Sequence, residues 1–202
     1  MIIVVNYGMG NLGSMLNMFK HIGVQARIES APKLIEKSDK LVLPGVGAFD
    51  SAMKGIDNIP DLRYVLDQKA LVERIPILGV CLGMQILTRS SEEGIMPGLG
   101  WIDGLTMRFP RDSGLKVPHM GWNIARPYTP SPLTDNLGLD PRYYFVHSYF
   151  VKVDNPAHSL MRTHYGIEFD SAIGHENIFG VQFHPEKSHR FGMQILKNFV
   201  EL

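Results

Sequence analysis

Three short apolar runs constrain this chain more than any other feature: "IIVVN" at residues 2–6, "KLVLPG" at 40–45 and "IPILGV" at 75–80. A strand with one face in water carries a polar residue at every second position, whereas the interiors of these runs are apolar throughout. They read as strands buried on both faces, the situation of a parallel sheet covered by helices. Between the first two runs, Met15, Met18, Phe19 and Ile22 fall at i, i+3, i+4 and i+7, which predicts a helix with one apolar face. Asn11 stands where an N-cap is needed and Gly23 where the helix must stop. Ligands of such sheets collect at the carboxyl ends of the strands. Cys81 follows the third run directly.

The second half has a different pattern. "WIDGLTMRF" (101–109), "RYYFVHSYFVKV" (142–153) and "FDSAIGHENIFGVQFH" (169–184) are longer and partly alternating, so they predict strands of which the last two or three pair antiparallel. A closing helix is expected from about Ser188, with Phe191, Ile195 and Phe199 on its buried face. The Pro-rich "ARPYTPSPLTDNLGLDPR" (125–142) reads as a long surface connection. The fold class expected is α/β in three layers: a mostly parallel open sheet, helices on both faces and an added antiparallel portion. With 202 residues the chain is long enough for one core without disulfides or a structural metal, and residues 1–202 are expected to form a single domain.

Composition removes several classes of function. Twenty acidic and twenty basic residues balance, so no whole-chain field draws the protein to nucleic acid or to an anionic membrane. One cysteine cannot form an internal disulfide, the N-terminus lacks the basic start and cleavage site of a signal peptide, and no apolar run reaches the roughly 18 residues of a membrane span. A cytoplasmic protein is expected. His and Cys show no zinc-like spacing, so no metal is expected. "PGVG" (44–47) lacks the lysine and glycine order of a phosphate loop and is expected to present backbone amides instead.

A lone cysteine in an apolar run is more often a small hydrophobe than a catalyst. The neighbours of Cys81 change that reading. In "GVCLG", Gly79 and Gly83 stand two positions either side, the spacing of a nucleophile elbow between strand and helix. Such a turn strains the backbone of the nucleophile and leaves no room for flanking side chains. It also sets the thiol at a helix N-terminus, where the dipole favours a thiolate and the Leu82 amide can hold an oxyanion.

A thiolate of this kind needs a base. His21, His119, His147, His158, His164, His175 and His189 sit in contexts that an ordinary surface or hydrogen-bonded histidine explains equally well. His184 differs, because in "GVQFHPEKS" it ends an apolar strand, Pro185 stops that strand, and Glu186 can turn back to hold the imidazole. "HPE" alone is as readily a strand end with a solvated glutamate; beside an elbow it is a base with its orienter.

These residues resemble the class I, or triad, glutamine amidotransferases. The resemblance rests on "NYGMGNLGS", "LVLPGVGAF", "LGVCLGMQIL", "RSSEEG", "PHMGWN", "YYFVHSYFV" and "GVQFHPEKS", which cover almost the whole chain in order. It implies that Cys81 attacks the side-chain amide of glutamine, that His184 protonates the departing ammonia and then activates water, and that Glu186 orients His184. Leu82 with Val46 or Gly47 would supply the oxyanion amides. Gln85, Glu93, His147, Ser148 and Tyr149 would surround the bound glutamine. No cofactor is implied. The resemblance is closest to subunits that pass ammonia to a (β/α)8-barrel cyclase in histidine biosynthesis as a one-to-one heterodimer. Asn11, Met120, Trp122, Tyr144 and Lys187 match positions that meet that partner, although a buried Trp122 is an equally simple reading. Low activity in isolation is also implied, with one oxyanion amide turned away until the partner docks, at a cost on the order of 100-fold.

Rival readings remain at the level of sequence. "KSHRFGMQILKNF" and "LKVPHMGWN" also resemble a branch that feeds ammonia to a partner converting an acetamido to an acetamidino group on a surface-polysaccharide sugar. A stand-alone cysteine hydrolase would need no partner. A catalytically silent interaction module would have no use for the Cys81, His184 and Glu186 set.

Overall fold

The computed structural model describes residues 1–110 and 114–202. The chain opens with β1 (Ile2–Val5) and α1 (Leu12–His21), then β2 (Ala26–Glu29), the single turn α2 (Pro32–Ile35), β3 (Lys40–Gly45), α3 (Phe49–Asp57) and α4 (Leu62–Asp67). β4 (Ile77–Cys81) runs straight into α5 (Leu82–Gln85). The second half holds β5 (Ser90–Ser91), β6 (Gly104–Arg108), β7 (His119–Ile124), β8 (Arg126–Pro127), β9 (Arg142–His147), β10 (Tyr149–Val153), β11 (Ser159–Tyr165), β12 (Ile167–His175) and β13 (Ile178–Val181), and the chain closes with α6 (His189–Glu201).

The three apolar runs are strands of one sheet, in which β2, β1, β3, β4 and β13 lie side by side and parallel. Every residue of β1 and β4 is buried. Successive side chains leave a strand on opposite faces, and the core divides accordingly. Leu41, Leu43 and Ile77 join Phe49, Met53 and Leu66 from α3 and α4. Val42, Leu78 and Val80 join Phe19 from α1 and Ile195 and Phe199 from α6. Helices therefore cover both faces of the parallel half, giving three layers. In α1, Asn11 Oδ1 accepts from the Ser14 amide at 3.2 Å, the N-cap expected of it. Gly23 leaves the helix with φ +81°, a left-handed turn that glycine enters without steric cost.

Beyond β13 the sheet turns antiparallel through β12, β10 and β6, with β11 paired to β12 and β5 on the outer edge. Three expectations change in detail. "RYYFVHSYFVKV" is two strands broken at Ser148: β10 stays in the large sheet, while β9 pairs with β7 in a separate two-stranded sheet. "FDSAIGHENIFGVQFH" is a hairpin of β12 and β13 that turns through Glu176 at φ 54°. The 125–142 segment is more than a surface connection, since Leu133 and Leu137 are buried and Asn198 Nδ2 of α6 donates to the carbonyls of Leu133 (2.9 Å) and Asp135 (2.7 Å). Two capped carbonyls and two buried leucines dock it on the closing helix. Among the described residues, no helix is long and apolar enough to cross a membrane.

Candidate active site

Cys81 ends β4 with φ 56° and ψ −111°, a conformation that costs a residue with a Cβ on the order of 1–3 kcal/mol and persists only where the surroundings enforce it. The enforcement is visible in the flanking glycines. A Cβ on Gly83 would collide with the Leu43 carbonyl oxygen of β3, and one on Gly79 with the Gly83 carbonyl oxygen. Both clashes are with backbone, which cannot step aside. Gly83→Ala is therefore expected to destabilise the fold by about 3 kcal/mol or more, read as a fall in the urea midpoint; an unchanged midpoint would contradict this packing.

α5, the helix after the elbow, is one turn long. Its macrodipole is correspondingly small, and the free amides of the turn, Leu82 above all, are what remains of the expected anion-stabilising effect.

His184 stands just past β13, the strand beside β4. Its backbone is anchored twice to β9: the His184 amide donates to the Tyr144 carbonyl (2.9 Å), and Ser188 Oγ accepts from the Tyr144 amide (3.0 Å) while donating to the His184 carbonyl (2.6 Å). Pro185 starts a single 3₁₀ turn, which brings Glu186 back so that His184 Nδ1 donates to Glu186 Oε1 at 2.8 Å. The two side chains are almost fully enclosed. Burial opposes charge on this imidazole, but the attraction of Cys81 and Glu186 outweighs it and lifts the pKa to about 10. Nε2, the ring nitrogen not bonded to Glu186, is buried as well.

A cavity of about 310 Å³ opens in front of Cys81. Of the residues singled out in the sequence, Val46, Gly47, Cys81, Leu82, Gln85, Glu93, His147, Ser148, Tyr149 and His184 line it. Glu186 stands behind the imidazole. The 44–47 loop is clamped from two sides. Tyr7, buried behind it, donates its hydroxyl to the Pro44 carbonyl at 2.7 Å, and its phenol is pushed above the ordinary range by burial and by the charge of Cys81. Glu93 Oε2 accepts from the Phe49 amide at 2.9 Å, just past the loop. One oxygen of Glu93 is thus committed to structure, leaving the other for the cavity.

His147 is held in a chain whose donors and acceptors are fixed by chemistry. The Tyr149 carbonyl can only accept, so His147 Nδ1 (2.7 Å) carries a proton and Nε2 is an acceptor; His119 Nδ1 donates to it at 3.0 Å, and Asn123 Nδ2 donates to His119 Nε2 at 3.2 Å. Both rings are neutral near pH 7. Burial lowers His119 to about 4, and burial, with smaller contributions from His119 and His184, takes His147 to about 3 despite the bond to Tyr149. His147 can shape the cavity but has no free basic nitrogen.

The five positions expected to meet a partner are partly brought together. Met120 is 62% and Trp122 49% exposed on β7. Trp122 lies parallel to the His189 ring at 5.4 Å and edge-on to Tyr144 at 6.1 Å, and Lys187 Nζ is 5.6 Å from the Tyr144 ring. The Asn11 side chain is spent capping α1.

Two residues that the sequence reading passed over belong to the site. Tyr7 holds the 44–47 loop, and Gln182 Nε2 donates to Cys81 Sγ at 3.7 Å. The place of the second follows from strand pairing: "GVC" (79–81) and "GVQ" (180–182) lie in parallel register, Gly180 opposite Gly79 and Val181 opposite Val80. That register puts Gln182 beside the cysteine.

A cysteine on a strained elbow, facing an imidazole held by a carboxylate across a cavity of amino-acid size, defines the class as the cysteine amidases of three-layer α/β architecture. The chain belongs to the class-I glutamine amidotransferases: the family profile described as "Glutamine amidotransferase class-I" matches residues 3–202. It is 48% identical over 202 residues, covering both chains completely, to "Imidazole glycerol phosphate synthase subunit HisH 2" of Pseudomonas aeruginosa. It is 49% identical over 201 residues to the protein of the same name from Methanococcus maripaludis, covering 100% of this chain and 99% of that one. Among solved structures, "PurLQS from Thermotoga maritima" shares the fold at TM-score 0.77 and 16% identity, covering 99% of this chain and 97% of that one. A "putative gmp synthase subunit a protein" from Thermoplasma acidophilum does so at TM-score 0.74 and 19% identity, over 99% and 92%.

Proposed function

We infer that the chain is the glutamine-hydrolysing, ammonia-supplying subunit of imidazole glycerol phosphate synthase, acting in histidine biosynthesis. The observation that carries the reading is the cavity in which Cys81, on its elbow, faces the His184–Glu186 pair. The names of relatives that match from end to end at 48% and 49% identity support the choice of synthase. The two rivals without an ammonia-using partner, a stand-alone hydrolase and a silent module, have no such support.

In the mechanism proposed, Cys81 Sγ forms a bond to the side-chain amide carbon of glutamine, and the carbonyl oxygen takes the displaced electron pair. The amide of Leu82 and one from Val46 or Gly47 hold this oxyanion. His184, protonated at neutral pH, gives its proton to the amide nitrogen, the C–N bond breaks, and ammonia leaves a thioester. The imidazole, now neutral, takes a proton from water as the oxygen attacks the thioester; the C–S bond breaks, glutamate departs, and the Cys81 sulfur is released as thiolate beside the protonated His184. Gln85, Glu93, His147, Ser148 and Tyr149 place the substrate.

The partner proposed is a (β/α)8-barrel cyclase that takes up the ammonia. The exposed cluster of Met120, Trp122, Tyr144 and Lys187 supports a docking face here, since partly exposed aromatic and Met side chains are typical anchors. Tyr144 also supports His184 through its backbone, so this face adjoins the triad; Asn11 is proposed at its margin. A single domain over residues 1–202 and a cytoplasmic location complete the reading.

A diazoketone analogue of glutamine tests the chemistry. The expected result is one adduct per chain, on the peptide holding Cys81, suppressed by excess glutamine and absent from Cys81→Ala. Labelling elsewhere, or none, would overturn the assignment.

A further inference from the structure

The nucleophile has a hydrogen-bond donor that the catalytic sequence above leaves unused. We propose that Gln182 is a catalytic residue of this site: its side-chain amide donates to Cys81 Sγ and holds the sulfur as a thiolate aimed into the cavity, with Gln85 locking that amide in its donor orientation. The proposal rests on Cys81 being the nucleophile of the glutaminase reading.

The orientation follows from chemistry. An amide side chain can ordinarily be turned over, exchanging N and O. Here the ambiguity is removed one bond at a time. Gln85 approaches the Tyr149 carbonyl at 3.1 Å, and a carbonyl only accepts, so the Gln85 atom there is Nε2. The same Nε2 lies 3.1 Å from the Gln182 side chain. The Gln182 atom it meets must accept and is therefore Oε1. Nε2 of Gln182 is left facing Cys81 Sγ, at 3.7 Å. The reverse bond, a thiol donating to a Gln182 oxygen, is ruled out because that oxygen is already turned to Gln85. The Tyr149 carbonyl is itself fixed by its second donor, His147 Nδ1.

Gln182 and Gln85 are 0% and 5% exposed, so water does not compete for these bonds. A neutral donor beside a thiolate in such an enclosure stabilises the charged form. When sulfur bonds to the amide carbon its charge disappears and the contact weakens, so the bond serves the resting nucleophile more than the later steps. Its loss is expected to fall on kcat, with KM for glutamine little changed.

The chain has one cysteine, so the rate of iodoacetamide alkylation against pH reports the Cys81 thiolate alone, without reference to glutamine turnover. Gln182→Met, of similar size and without a donor, is expected to slow alkylation about tenfold on the acid side of the profile. Gln85→Met leaves Gln182 in place but frees its amide to turn, and a smaller slowing in the same direction is expected; it also carries the test if Gln182→Met does not fold. Thiol profiles of the folded variants that superimpose on that of the parent would overturn the proposal. Failure of the parent to form the glutamine-analogue adduct at Cys81 would instead remove the glutaminase reading beneath it.

Discussion

Cys81→Ser is expected to lower ammonia release from glutamine by on the order of 10³-fold or more, with the folded state and the urea midpoint close to those of the parent. The substitution changes one atom at a position whose backbone is set by Gly79 and Gly83 packing against neighbouring carbonyls, so the elbow survives. What disappears is the nucleophilic sulfur. A serine hydroxyl remains neutral beside His184, the imidazole loses one of the two negative partners that hold its pKa near 10, and the Gln182 amide then faces a neutral oxygen. Ammonia release by the serine variant within about tenfold of the parent would contradict the nucleophile assignment.

Glu186→Gln is expected to lower kcat by roughly 10²-fold and to leave glutamine binding nearly intact, because Glu186 does not line the cavity. The sign of the pH effect follows from the charges. His184 is raised from the ordinary 6.5 to about 10, so in the parent it is protonated through neutral pH and loses its proton as the pH rises through about 10. A neutral amide in place of the carboxylate removes one of the attractions opposing burial, and the pKa falls. The imidazole resonance of His184, followed by NMR against pH, is expected to titrate at least about one unit lower in the variant. An unmoved midpoint with an unchanged kcat would show that Glu186 does not orient the base.

The parts of this molecule that were legible in the sequence are those where one local rule decides. Strands buried on both faces must be apolar throughout, and "IIVVN", "KLVLPG" and "IPILGV" gave away β1, β3 and β4 for that reason. The elbow was legible because two backbone contacts forbid a Cβ at Gly79 and Gly83. "HPE" was legible because proline stops the strand and sets the carboxylate two residues on. Features decided by a distant partner were hidden. The strand-forming run 142–153 carries no Gly or Pro to break it, and only the separate pairings of β9 with β7 and β10 with β6 show that Ser148 divides it. Leu133 and Leu137 looked like residues of a Pro-rich loop until α6 supplied the donor that fixes their segment. Tyr7 and Gln182 escaped notice because each acts across the sheet, 37 and 101 residues away in sequence from what it holds.

The measurement that bears most directly on the account is ammonia release from glutamine by the purified chain, first alone and then mixed with the histidine-pathway barrel cyclase of the same organism carrying its nucleotide ligand. The account predicts slow release from the chain alone and a rise on the order of 100-fold on mixing, the size expected when a missing oxyanion donor is restored. Low activity in the mixture, with Cys81 still labelled by the glutamine analogue, would keep the glutaminase and contradict the synthase, moving the acceptor toward an acetamido sugar. No ammonia under either condition and no adduct would contradict the account at its root.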